Sequence, residues 1–178
     1  MFHLSSALSN SDLIHPGDNI VVSPACHDAN VASWLWLARN TGAQTRYLPL
    51  MNNNDSSEDD KVDVEQLASV IDDKTRVICI GLASNVTGRA HLEALKKIVE
   101  MTSTMKKKPY IFLDATHFIP HQCCDLTSFG ADAVICSAYK YFGPHLGVMA
   151  YNKQRFSVLK KIPCFNNNPD LLTYMNCF

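Results

Sequence analysis

The sequence predicts an α/β fold with a mostly parallel sheet flanked by helices. Two observations point there. Short apolar segments alternate along the chain with amphipathic stretches, which is what strands buried on both faces and joined through covering helices leave in a sequence. Polar or ionisable residues then follow several of the apolar segments directly, at the place where open α/β sheets hold their ligands.

The elements follow in order. Asn19-Ile20-Val21-Val22-Ser23 reads as a buried strand ended by Pro24. From Asp28 to Asn40 the apolar residues Val31, Trp34, Leu35 and Ala38 recur at helical spacing, and Gly42 is the stop signal. Trp34 is expected in the core and Trp36 packed on the helix surface. Arg46-Tyr47-Leu48-Pro49-Leu50 is a second strand, and the stretch from Asn52 to Asp60 is a solvated loop without an apolar residue. Val64 to Ile71 forms a short helix and Arg76 to Leu82 a strong strand. His91 to Met101 is a surface helix, with Leu92, Leu95, Ile98 and Val99 on one face and Lys96, Lys97 and Glu100 on the other. Lys106-Lys107-Lys108 is a soluble turn, and Tyr110–Leu113, Ala133–Ile135 and Val148–Tyr151 supply three further strands. Residues 1–162 read as one structured unit and 163–178 as an irregular, Asn-rich tail.

Composition bounds the function. Hydrophobic residues make up 47% of the 178, so a real core can form, and the formal net charge of -1 gives no electrostatic pull toward nucleic acid or an acidic membrane surface. The apolar runs are far shorter than the roughly twenty residues a membrane span needs. Seven cysteines with no secretory leader read as reduced thiols, which places the chain in the cytoplasm.

Four of the strand ends deliver groups capable of chemistry: His27, Asn85, Asp114 with His117, and Ser137 with Lys140. Lys140 stands among Tyr139, Tyr141, Phe142 and Pro144, an apolar setting that would strip water from its ammonium and make it an imine-forming nucleophile or a base. The plainer alternative is a lysine that reaches its head out to water. Asp114 could cap the following turn or hold a protonated ring nitrogen. His27, Asn85 and Ser137 could equally be helix-start, turn or cap residues. The cluster His117, His121, Cys123, Cys124 suggests a metal, but Pro120 breaks the helix that would align the histidines and adjacent cysteines chelate one ion poorly, so no metal site is expected.

Taken together, His27-Asp28-Ala29-Asn30 followed by Trp34, Ala83-Ser84-Asn85-Val86-Thr87-Gly88, Asp114-Ala115-Thr116-His117, and Ser137-Ala138-Tyr139-Lys140 with Gly143-Pro144 and Gly147 resemble the class V pyridoxal-phosphate aminotransferases. Within that family the resemblance is to the cysteine-desulfurase-like branch, over about Gly17 to Tyr151. It implies that residues 1–162 are the large, cofactor-binding domain of a fold-type I transferase, incomplete at both ends. The small domain, the phosphate-binding turn and the substrate-binding arginine would then lie outside the chain. It further implies a Schiff base on Lys140, with Lys140 and His27 catalytic. Asp114 would pair with the pyridine nitrogen, and His117 would lie near the phenolic oxygen or ring edge. His27 would stack on the ring, Asn85 would bond the phenolic oxygen or a substrate carboxylate, and Ser137 would bond the phosphate. Tyr139 stands where the family commonly has histidine, which would keep a hydrogen bond to phosphate and lose a charge. Two readings follow: an enzyme domain acting on a small amino acid, or a non-catalytic truncated homologue that pairs with itself or with a full-length relative.

Overall fold

The computed structural model describes residues 1–51 and 60–160. The chain runs α1 (Phe2–Asn10), β1 (Asn19–Val22), α2 (Asp28–Thr41) and β2 (Gln44–Tyr47), then a 3-10 turn (Val64–Ser69), β3 (Thr75–Gly81), α3 (Leu92–Ser103), β4 (Tyr110–Asp114) and β5 (Ala133–Ser137). A second 3-10 turn (Ala138–Tyr141), β6 (Gly147–Tyr151) and α4 (Lys153–Phe156) close the sequence of elements. The tail from residue 163 and all of the polar loop except Asp60 lie outside the described residues.

The strands form one six-stranded sheet in the order β2-β1-β3-β4-β5-β6, parallel throughout except that β6 runs antiparallel to β5. That reversal has a simple cause. The connection from Ser137 to Gly147 is too short for the dozen or more residues of a parallel crossover, so the chain can only turn back. β1 is buried along its whole length and β3 everywhere but Arg76, as expected of strands covered on both faces. Alternation sends Ile20, Val22 and Phe112 to the side covered by α1 and α2, with Leu4, Leu8, Trp34 and Leu37. Val21, Ile78, Ile80, Ile111 and Leu113 go to the other side, with Leu67 and with Leu95 and Ile98 of α3. Trp34 is fully buried, and Trp36 packs half-buried against Phe2. Gly42 ends α2 with φ +72°, donating its N–H to the Ala38 carbonyl.

Most boundaries move by a residue or two, and three points differ in kind from the sequence reading. β2 begins at Gln44 and ends at Tyr47 instead of spanning 46–50, because Pro49 has no N–H to give and the ladder closes with Leu48 N to the Val22 carbonyl. The segment from Val64 is a 3-10 turn ending at Ser69, capped by Asp63 accepting from Glu65 N. Asp60, placed by sequence in a solvated loop, is buried and accepts from Thr87 Oγ1 and, at 3.2 Å, from Arg89 Nε. Among the described residues no helix is long and apolar enough to cross a membrane.

Candidate active site

At the carboxyl ends of the adjacent parallel strands β1, β3, β4 and β5 lies a cleft of about 270 Å³. Its position, beside the point where the chain switches from building the sheet toward β2 to building it toward β4, is where doubly wound sheets bind ligands. His27, Asp114, His117, Ser137, Tyr139 and Lys140 all line it.

Each arrives by a local route. His27 is the N-cap of α2: its Nδ1 accepts from Ala29 N at 3.1 Å, so in the neutral ring the proton sits on Nε2. Asp114 is the last residue of β4, in register with Gly81 and Ile135, which fixes its depth against the neighbouring strands. Its Oδ1 accepts from Thr116 N at 3.0 Å and its Oδ2 from Asn30 Nδ2 at 3.3 Å. His117 follows in the same turn. Burial depresses its pKa, Lys140 and His27 push the same way, and Asp114 opposes them. Ser137 ends β5 and makes no cap bond with its side chain.

Lys140 sits in the 3-10 turn, with Nζ 5.2 Å from the Tyr139 ring centroid. The dehydration expected from its aromatic neighbours is not found. Lys140 is exposed, and Phe142 points fully into solvent with φ +66°. The tight turn, with Gly143 too close to the Ala138 carbonyl to admit a Cβ, sends Phe142 outward, while Tyr139 stacks on His145 and the Tyr141 hydroxyl lies 3.6 Å from Cys136 Sγ. Asn85 is also apart from the others. It is exposed at the tip of a turn in which Ser84 Oγ accepts from Val86 N and Thr87 N, and it does not line the cleft.

Sequence reasoning missed several members. Asn30, buried beside Asp114, lines the cleft, and so do Thr116 and Cys136. The asparagine four residues before Trp34 on one helix was the available signal, since i and i+4 share a face. Burial pushes the Cys26 thiol up to about 11 and Cys79 well above its ordinary value, so both stay protonated. Among the described residues no group of three or more His, Cys, Asp or Glu gathers as a metal site.

A family profile described as aminotransferase class-V matches residues 3–163. The chain belongs to the class-V aminotransferase family. The class-V chain is 34% identical over 143 residues to a cysteine desulfurase of Pectobacterium carotovorum subsp. carotovorum (strain PC1), covering 79% of this chain and 32% of that protein. It is 27% identical over 157 residues to an aminotransferase-like protein of Gibberella zeae, covering 88% of this chain and 37% of the relative. Among solved structures it superposes on the cysteine desulfurase CsdA of Escherichia coli with TM-score 0.73 and 25% identity, covering 87% of this chain and 38% of that one. It thus spans about a third of the length of the curated relatives it matches.

The turn bearing Asn85 is tied down by ionisable groups, and these set an acid response. Burial pushes the Asp60 carboxyl up, but hydrogen bonds from Thr87, Ser84 and Arg89 outweigh it and hold the group below its ordinary value. Burial lowers buried His91, with Asp60 opposing and Arg89 assisting. For both residue types the folded state holds fewer protons than the unfolded one as pH falls, so stability rises with pH. Folding free energy is therefore expected to decline from the ordinary histidine value of 6.5 downward. A second loss is expected below the ordinary carboxyl value of 3.8, as Asp60 is forced to protonate. Urea unfolding at neutral, mildly acidic and strongly acidic pH checks this, and His91→Gln should make the upper limb shallower. A flat profile between neutral and mildly acidic pH would contradict the assignment.

Proposed function

We propose that this chain is the cofactor-holding domain of a pyridoxal-phosphate-dependent enzyme acting on an amino acid, with Lys140 as the residue that carries the cofactor. The supporting observation is the convergence of the Lys140 amine, the Asp114 carboxylate and the imidazoles of His27 and His117 in a single cleft, which the Met1 amino end also lines. The donor set fits the group: an amine for its aldehyde, a carboxylate for its ring nitrogen, and the Ser137 hydroxyl and Tyr139 phenol for its phosphate. The cleft lies just under the roughly 300 Å³ at which ligand pockets begin, which suits one flat heterocycle.

Pyridoxal phosphate, when bound, supplies an electron sink for the bonds around a substrate's α-carbon. The chain's own residues would do the rest. Asp114 accepts from Asn30 and Thr116 and has further lone pairs to offer a ring N–H, which an ionised carboxylate binds strongly. His27, held at the start of α2 by its bond from Ala29 N, would lie against the ring face. His117, kept neutral by burial and by Lys140, would lie near the phenolic oxygen. Lys140 would move protons at the substrate's α-carbon. Asn85 would contact cofactor or substrate only if its turn leans over the cleft. The cysteine desulfurases among the relatives make cysteine the first substrate to test.

A second reading, a domain that pairs with a full-length relative without catalysing anything itself, is favoured by the exposed apolar side chains of Tyr139, Phe142 and Leu146 beside the cleft. One experiment separates the two. Pyridoxal phosphate added to the wild-type protein should give a yellow absorbance band, and borohydride should then fix the label on Lys140, read by peptide mass mapping. Lys140→Ala should show neither. A colourless wild type, or a label spread alike over surface lysines in both proteins, would overturn the enzyme reading.

A further inference from the structure

Asn30 lies on α2, 2% exposed, and its amide meets the side chains of Trp34, Cys79 and Asp114, with the Cys26 thiol also in hydrogen-bond contact. Trp34 Nε1 donates to Asn30 Oδ1 at 2.9 Å, the Cys79 thiol donates to the same oxygen at 3.0 Å, and Asn30 Nδ2 donates to Asp114 Oδ2 at 3.3 Å. The two ends of an asparagine amide are interchangeable in shape but opposite in chemistry. Here the choice is forced, because an indole N–H can only donate. Trp34 therefore draws the carbonyl end toward itself, and the N–H end is left facing the carboxylate. Trp34 is itself immobile: fully buried, one turn along the same helix, and stacked on Phe112 with ring centroids 5.0 Å apart and planes 5° apart.

We propose that Asn30 is a positioning residue for Asp114, and that Trp34 sets its direction by fixing which way the amide faces. The inference rests on the proposed cofactor role of Asp114 and extends it to two buried residues behind that carboxylate, of which Asn30 also lines the cleft and Trp34 does not. Its physical content is that one carboxylate oxygen is held from the helix side by Asn30 and the other from its own turn by Thr116 N. The anion is thereby oriented before any ligand arrives, and orientation fixed in advance costs nothing at binding.

The test uses Asn30→Leu, close in size but unable to donate or accept, and Asn30→Asp, which keeps an acceptor for Trp34 and replaces the N–H toward Asp114 with an acid oxygen that must share one proton with it. Two NMR signals are read in the ligand-free protein: the Trp34 indole N–H and the Thr116 amide N–H, which reports on Asp114 Oδ1. Asn30→Leu should shift both, whereas Asn30→Asp should leave the indole bonded and still shift Thr116. Pyridoxal phosphate titration by absorbance should show about a tenfold or greater loss of affinity in both variants, in line with losing a buried hydrogen bond to a charged group. A folded Asn30→Asp protein with an unmoved Thr116 signal overturns the positioning role, whether or not cofactor binds. A wild-type protein that takes up no cofactor overturns the function proposed above, and the ligand-free signals then decide the positioning role by themselves. Wild-type affinity in both variants overturns the role while leaving the function standing.

Discussion

Phe112→Ala is expected to lose about 3–5 kcal/mol of stability, a large share of the roughly 5–15 kcal/mol that holds a domain folded. Phe112 is fully buried in the middle of β4, two residues before Asp114. Its ring is stacked on Trp34 with centroids 5.0 Å apart, lies parallel to Tyr110 at 6.0 Å, and meets Phe156 edge-on at 6.2 Å. Truncation removes the contacts of three aromatic rings and leaves a void that helix, strand and α4 cannot all close into at once. Trp36→Ala is the control, because Trp36 is only half-buried and meets the single ring of Phe2. Urea unfolding of the two variants should separate them by several-fold in lost free energy. Equal losses would mean that the stack does not anchor β4, and with it the strand end that carries Asp114.

How much of this was legible in the sequence depends on how far each determinant reaches along the chain. α2, α3, β1 and β3 are written in local apolar periodicity, and the structure places them within a residue or two of expectation. The strand-end residues His27, Asp114, His117, Ser137 and Lys140 share one cleft because adjacent parallel strands end on one edge, which a strand-by-strand reading can foresee. The environment of Lys140 could not be read that way. Aromatic neighbours in sequence bury a lysine only if the turn folds them over it, and here Phe142, in the left-handed conformation, points into solvent while Lys140 stays exposed beside the Tyr139 ring. Asp60 was misplaced for a related reason. Its partners Thr87 and Arg89 lie more than twenty residues away, so nothing in its polar surroundings marks it as buried. Asn30 had a local signal in its spacing from Trp34, but its contact with Asp114 spans 84 positions.

Asp132→Ala is the second change expected to act strongly, at about 3 kcal/mol, the low end for breaking a buried ion pair. Asp132 was invisible in the sequence because it stands just ahead of β5 among apolar residues, and its side chain is 4% exposed. Its Oδ1 accepts from Arg155 Nε at 2.9 Å and its Oδ2 from Ile111 N at 2.9 Å, while its own N–H donates to the Ile111 carbonyl and its carbonyl accepts from Asn152 N. One residue thus pins the first pairing of β4 with β5 and ties the end of β6 to them. Alanine keeps the main-chain bonds but strands the buried Ile111 N–H, and it removes the anion facing Arg155. The loss is limited because Arg155 is 31% exposed, still donates to the Lys108 and Pro109 carbonyls and lies over the Tyr110 ring. Asp132→Asn should be intermediate, since its amide oxygen can still accept from Ile111 N. The β4–β5 register sets Asp114 opposite Ile135, two residues from Ser137, so loosening it should also lower cofactor uptake in Asp132→Ala. If chemical unfolding shows a drop well under about 1 kcal/mol, the pair is no more than a surface ion pair in its energetics, and the register must be held by the strand ladder alone.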